Sequence, residues 1–385
     1  MVMMRVNRIT IIIILHILLA IPYYHMVVLN VPAEVMQQAM NTSLLNTFGL
    51  VLSPGAAAVL WLIVSCQSVG ALVGCLLVTP LLRRLFTGIA CSLLPLFVQQ
   101  IAPKQIKGSL SCFVHISVCF GAAVAAVLSL DFILGSQYTW GYLLFVPAVL
   151  AVNSFVPETP NYYLQNGFYI QAIDSIKFYY DIAYDDDDEA IQEYWDMVPE
   201  MPSQIGFIEA SKSWTICKGV LLGTVVSAAQ VFSGSVASIS YSTSMFTAVS
   251  FTKVLIPFLP ALGSLISIIL TVPALKLVET TNRRSLLLRT LALCLVADCL
   301  MLVFSLLSVG ESWVGSWLYL VAFFVYGIGY NLGVGPVAYF IPAELVPAEA
   351  AGVSLGVAVA VNWICSMITT LVYYPLNESK GGWSY

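Results

Sequence analysis

Residues 343–352 read AELVPAEAAG, and residues 99–108 read QQIAPKQIKG. The two stretches share one frame. Gln100, Ile101, Pro103 and Gly108 in the first stand where Glu344, Leu345, Pro347 and Gly352 stand in the second. An arginine pair precedes each, Arg83-Arg84 and Arg283-Arg284. A chain that is 59% hydrophobic and 9% charged thus repeats one polar phrase in its two halves. The repetition predicts a tandem duplication.

Composition says what surrounds it. Soluble chains carry about 25% charged residues, and a mean hydropathy of +0.91 over 385 residues exceeds what a single core hides. A bilayer accommodates it, because a spanning helix needs roughly 20 apolar residues. Ten runs qualify: 9–29, 56–82, 85–103, 108–130, 132–157, 219–252, 254–275, 285–308, 312–343 and 350–377. Between the first two, Asn41, Ser43, Asn46 and Ser53-Pro54-Gly55 predict a loop. Arg5 and Arg8 ahead of an apolar run mimic a signal peptide, but the run continues to Leu29 without a small-residue cleavage site, which predicts a first helix. The expected fold is all-α and polytopic. An N-terminal bundle (1–156) and a C-terminal bundle (219–385) flank a polar segment (157–218).

That polar segment includes Asp185–Asp188. It lacks the spaced ligands and turn glycine of a calcium loop and reads as a solvated acidic linker. The cysteines fall almost entirely inside apolar runs with no metal or disulfide spacing. His16, His25 and His115 are scattered, and no nucleophile stands beside a base. Enzyme chemistry, a resident metal and a cofactor therefore find no support, and the sparse basic charge excludes nucleic acid.

Charge also orients the chain, because Lys and Arg in short loops stay cytoplasmic. If 85–103 makes no net crossing, 13 of the 15 basic residues fall on the cytoplasmic side; only Lys253 and Lys380 fall outside. The sequons at Asn41 and Asn377 then both face outward as glycan acceptors. This arrangement predicts a multi-pass protein of the plasma membrane, with the N-terminus and 157–218 in the cytoplasm. Spacing accounts for the missing crossing. From Arg84 to Gln100 is 16 residues, but from Arg284 to Glu344 is 60. The first half is shorter by more than one helix at 1.5 Å per residue.

Six further stretches, in order, carry a resemblance: YHMVVLNVP (24–32), PETPNYYL (157–164), AAQVFSGSVASISYSTSMF (228–246), ETTNRR (279–284), VGPVAYFIPAEL (334–345) and VNWICS (361–366). Together they resemble the sugar-porter branch of the major facilitator superfamily, in particular its facilitative hexose transporters. The resemblance implies two pseudo-symmetric helix bundles that rock about a midplane site, with about ten of twelve spans present. It also implies that helix 3, part of helix 4 and helix 12 are missing. The implied partner is a small neutral sugar, moved by facilitated diffusion. The alternative is a transport-inactive variant or sensor derived from such a carrier.

A sugar needs groups that both donate and accept hydrogen bonds, and amides do both. Carried over residue by residue, the family site falls on Gln230 and Asn362, which keep the family's residue type, with Trp363 beside them. His115, Asn331, Tyr339 and Ser267 occupy site positions with altered chemistry. Val231 and Val236 replace two amides, which implies a drier pocket than a hexose site. The family's cytoplasmic latch maps onto Glu279, Arg283, Arg284, Glu344 and Glu158. His25 and Asp298 are candidates for proton sensitivity, since intramembrane ionisable groups default to functional suspicion.

Overall fold

The computed structural model describes residues 24–28, 33–49, 102, 107–143, 146, 158–180, 191–192, 194–196, 204–249, 254–308 and 313–380. Every regular element among them is helical, as the all-α expectation required. Six helices there are long and apolar enough to cross a membrane: Lys107–Leu128, Trp214–Ser240, Ile256–Thr280, Arg283–Ser308, Trp313–Glu344 and Ala348–Tyr373. They match the expected spans from 108–130 and 219–252 onward. The expected spans 56–82 and 85–103 lie outside the described residues except for Ala102, and 9–29 lies largely outside them. Of 132–157 about half is described, with turns over 132–139 and a short helix at Trp140–Leu143.

The elements that position the site are α1 (Tyr24–Val28), α2 (Ala33–Phe48), α3 (Lys107–Leu128), α4 (Tyr169–Tyr180), α5 (Trp214–Gln230), α6 (Leu259–Thr280), α7 (Arg283–Ser308), α8 (Trp313–Gly329), α9 (Gly335–Glu344) and α10 (Ala351–Lys380). Helix α3 is central and packs on α1, α6 and α9. Its buried residues include Ser111, Ser117, Gly121, Ala122, Ala123, Ala125 and Ala126. In lipid no hydrophobic force drives helices together, so small residues that let backbones approach do the work.

Helix α7 shows the inverse of a soluble amphipathic helix. It buries Thr290, Cys294, Ala297, Ser305 and Ser308, while Leu288, Leu295, Val296, Val303 and Leu307 point outward. An apolar outer face suits hydrocarbon. Trp313 and Trp317, edge to face at 6.1 Å and exposed at the start of α8, suit the membrane interface. Gly329 and Gly333 bring α8 and its continuation onto α7. A methyl at Gly329 would lie 3.1 Å from Cys294 Sγ, and one at Gly333 would strike Thr290. By contrast, a methyl at Gly356 would meet nothing within 4 Å.

Two of the spans are broken. Helix α5 passes through a π-helical turn, Val231–Ser235, into Val236–Ser240; Gly234 adopts φ 88°, ψ 2°. That left-handed conformation costs a residue with a Cβ about 1–2 kcal/mol. The hydroxyls of Ser233 and Ser235 donate to the Gln230 carbonyl at 2.7 and 2.8 Å, so the break leaves that acceptor satisfied. Helix α8 passes through a second π-helical turn, Tyr330–Val334, into α9.

Two polar stretches depart from expectation. Residues 33–48, expected as loop, form α2. The run Glu34–Met40 is rich in good helix formers, Thr42 Oγ1 donates to Gln38 O at 2.8 Å, and Gly49 ends the helix at φ 65°. The 157–218 segment, expected as a linker, holds Pro160–Gln165, α4 and Phe207–Ala210. It also docks on α10. Gln204 Nε2 donates to Ala348 O at 2.9 Å and its Oε1 accepts from Gly352 N at 3.0 Å. The run Asp185–Asp188 lies outside the described residues.

Candidate solute pathway between the helices

Two cavities meet the polar side chains of the interior. The larger, about 820 Å³ counted to its open mouth, is lined from α3 by His115, Val118, Cys119 and Ala122, and by Ser235, Ser238, Ser267, Phe323, Tyr326 and Asn331 among others. The smaller, about 330 Å³, is lined by Gln230, Tyr339, Asn362 and Trp363 with apolar neighbours. A hydrogen bond from Gln230 of the smaller lining to Tyr330 of the larger joins them.

Asn331 organises the larger side. Its Nδ2 donates to Gly327 O at 2.7 Å and to Ser267 Oγ at 3.0 Å, which turns Oδ1 toward His115 Nε2 at 2.9 Å. With Oδ1 an acceptor, Nε2 carries the imidazole proton. Cys119 Sγ lies 3.6 Å from both groups. The contact ties α3 of the first half to α6 and the broken α8–α9 span of the second, within a fully buried imidazole. The ring is wedged against Gly335, where any Cβ would collide with it. Tyr330 meets it edge-on at 5.5 Å and Tyr339 at 6.0 Å.

Gln230 organises the smaller side. Its Oε1 accepts from Asn362 Nδ2 at 2.9 Å, and its Nε2 donates to Tyr330 Oη at 3.3 Å and Gly335 O at 3.4 Å. Asn362 also donates to Ser227 O at 3.2 Å. The seven expected binding residues are therefore all brought to the cavities, but in two groups. His115, Asn331 and Ser267 face one cavity; Gln230, Asn362, Trp363 and Tyr339 face the other. Sequence reading missed Tyr330, Tyr326, Cys119 and Ser238. The tyrosines stand four apart beside Asn331, a spacing that also describes ordinary core packing, and only the break at Tyr330 distinguishes them.

The latch candidates separate too. Glu279 accepts from the Ser109 amide at 3.1 Å and from its hydroxyl. Arg283 Nε lies 3.4 Å from Glu344 Oε2, and its guanidinium sits 5.6 Å over the Phe340 ring. A methyl at Gly108 would touch Arg283 Nη2 and Glu279 Cγ at 3.4 Å. The two echoed turns, one ending at Gly108 and the other starting at Glu344, thus converge on Arg283.

Arg284 stays outside this cluster. It is exposed, and its amide is capped by Asn282 Oδ1 at 3.1 Å. Glu158 is held at α4, where its carbonyl accepts from Ser175 Oγ at 2.6 Å. Burial there pushes its carboxyl above the usual carboxylate range. Asp298 lies at the α5 break, 3.5 Å from where a Gly234 Cβ would be. Asn41 sits within α2, and Asn377 in the last turns of α10. The side chain of His25 falls outside the described residues, as do Arg83-Arg84.

Comparison with known proteins agrees with this architecture. The chain is 28% identical over 311 residues to solute carrier family 2, facilitated glucose transporter member 2 of Gallus gallus, covering 77% of this chain and 56% of the relative. It is 30% identical over 309 residues to member 3 of Rattus norvegicus, covering 76% and 61%. It thus spans about three fifths of the length of these relatives.

Among solved structures it resembles the xylose transporter XylE from E. coli. The partially occluded inward-open form gives a TM-score of 0.63 at 17% identity, over 99% of this chain and 95% of that one. A double-tryptophan variant gives 0.67 at 17%, over 99% and 92%. At that identity the match speaks for the fold. A family model described as "Sugar (and other) transporter" matches residues 81–385. With a matching fold, two broken spans and a polar layer joining the halves, the chain belongs to the sugar transporter family of multi-pass membrane proteins.

Proposed function

We propose that this chain carries a small neutral sugar or polyol across the membrane by alternating access, without catalysing a reaction. The carrying observation is the His115–Asn331–Ser267 contact between α3 and the second half. It lines the larger cavity and joins α3 to the second half by hydrogen bonds that a polyhydroxylated solute can replace. The names of the relatives, facilitated glucose transporters, support a sugar as the solute.

Residues 1–156 and 219–385 are the moving halves in this reading. Gly108, Ser109, Glu279, Arg283 and Glu344 form the cytoplasmic latch, and Glu158 acts through α4 rather than at Arg283. A plasma-membrane setting, a cytoplasmic 157–218 segment and glycans at Asn41 and Asn377 complete it. Equilibrium binding to purified protein tests the site: labelled D-glucose and D-xylose should bind saturably, and Asn331→Ala should weaken binding. No saturable binding of either sugar would contradict the proposal.

A further inference from the structure

Asp298 stands inside α7, 15 residues from Arg283 and ten from Ser308, about 22 and 15 Å from the helix ends at 1.5 Å per residue. It is half-buried, and among the described residues it has no hydrogen bond and no cation beside it. A carboxylate at such depth is costly unless paired, and by default marks a functional site.

Its surroundings are specific. A Cβ on Gly234 would lie 3.5 and 3.8 Å from the two carboxylate oxygens, and 3.7 Å from Cε2 of Tyr326. The Tyr326 hydroxyl is itself buried, with the Ser233 side chain of the α5 break beside it. An unpartnered carboxylate and a buried phenol therefore flank the left-handed Gly234 that follows α5. The titratable groups facing Asp298 are Cys294 on its own helix and Tyr326 on α8. Tyr330 follows one turn on, and the α5 break presents Ser233 and Gly234, neither of which titrates near neutrality. Beyond the break, Ser235, Ser238, Ile239 and Ser242 line the larger cavity, as does Tyr326.

We propose that Asp298 is a proton-binding site coupled to the break in α5, so that solute movement through this chain is linked to a proton. One carboxylate oxygen takes up H⁺ to become the neutral acid and releases it later; no other bond changes. In the present arrangement the Tyr326 hydroxyl does not reach the carboxylate, and a bound proton removes the uncompensated charge. A shift of the α5 break out of the space beside Asp298 and Tyr326 lets the Tyr326 O–H approach the anion as a donor. It moves the cavity wall in the same step, because Ser235 and Ser238 line that wall. The coupling rests on the transport reading; the proton site does not.

The full chain in liposomes allows both to be tested. In an infrared pH titration, wild type should show a protonated-carboxyl stretching band that Asp298→Asn abolishes and Asp298→Glu shifts. In D-glucose counterflow, Asp298→Asn should retain exchange while losing the wild-type pH dependence and any sugar-linked proton movement; Asp298→Glu should keep both. A carboxyl band untouched by Asp298→Asn overturns the proton site. A band lost without change in the pH profile of flux overturns the coupling. No wild-type flux overturns the coupling together with the transport reading, while the band still decides for or against Asp298.

Discussion

The amide of Gln230 is engaged at both ends, accepting from Asn362 and donating to Tyr330 and Gly335. Removing it strands buried partners, a loss of about 1–3 kcal/mol in stability. Gln230→Ala should therefore lower the thermal midpoint of the detergent-solubilised protein, read by melting. Gly335 makes a sharper point, because its missing side chain is what admits the His115 ring. Gly335→Ala should lower the thermal midpoint of the detergent-solubilised protein, and adding His115→Ala should restore much of the loss. Independent, additive effects would break the link between the two residues.

Glu158 offers a pH test outside the membrane. Its carboxyl titrates higher in the fold than in the unfolded chain, so between those two values the folded state holds the extra proton. Stability then falls as pH rises through that window. Glu158→Gln should flatten that part of the stability curve, measured by melting across pH.

At the scale of elements, the break in α5 and the latch make opposite demands. Gly234→Ala puts a Cβ at φ 88° and should cost about 1–2 kcal/mol. Glu344→Gln removes an exposed pair with Arg283, whose side chains are 30% and 41% exposed, and should cost less than about 1 kcal/mol. Comparative melting of the two variants checks the order.

The six described spans were legible because membrane helices announce themselves by length and lack of charge. Gln230 and Asn362 were legible because an amide in such a run is expensive. The α5 break was not: one glycine in VFSGS is tolerated in ordinary helices, and only its neighbours' geometry drives φ positive. Helix α2 was misread because Asn, Thr and Ser signal turns locally, whereas the preceding Glu34–Met40 carries the helix through them. Arg284 was placed with Arg283 by the family resemblance, but successive helical residues point about 100° apart, and Arg283 is the one that faces Glu344.

At the scale of the molecule, orientation and transport are separate questions. The distribution of basic charge predicts that a protease added outside sealed cells leaves residues 157–218 intact, and that permeabilisation exposes them to cleavage. Cutting in sealed cells would invert the topology.

If solute passes through the larger cavity between α3 and the second half, filling that cavity stops it. Gly263 lines it with only Phe323 nearby, at 4.0 Å, so Gly263→Trp should plug the cavity with little disturbance elsewhere. The most direct measurement is counterflow of labelled D-glucose into liposomes holding the full chain, compared with that variant. Saturable wild-type flux that the tryptophan abolishes is the predicted result. Flux that survives the plug, or none from the wild type, would contradict it.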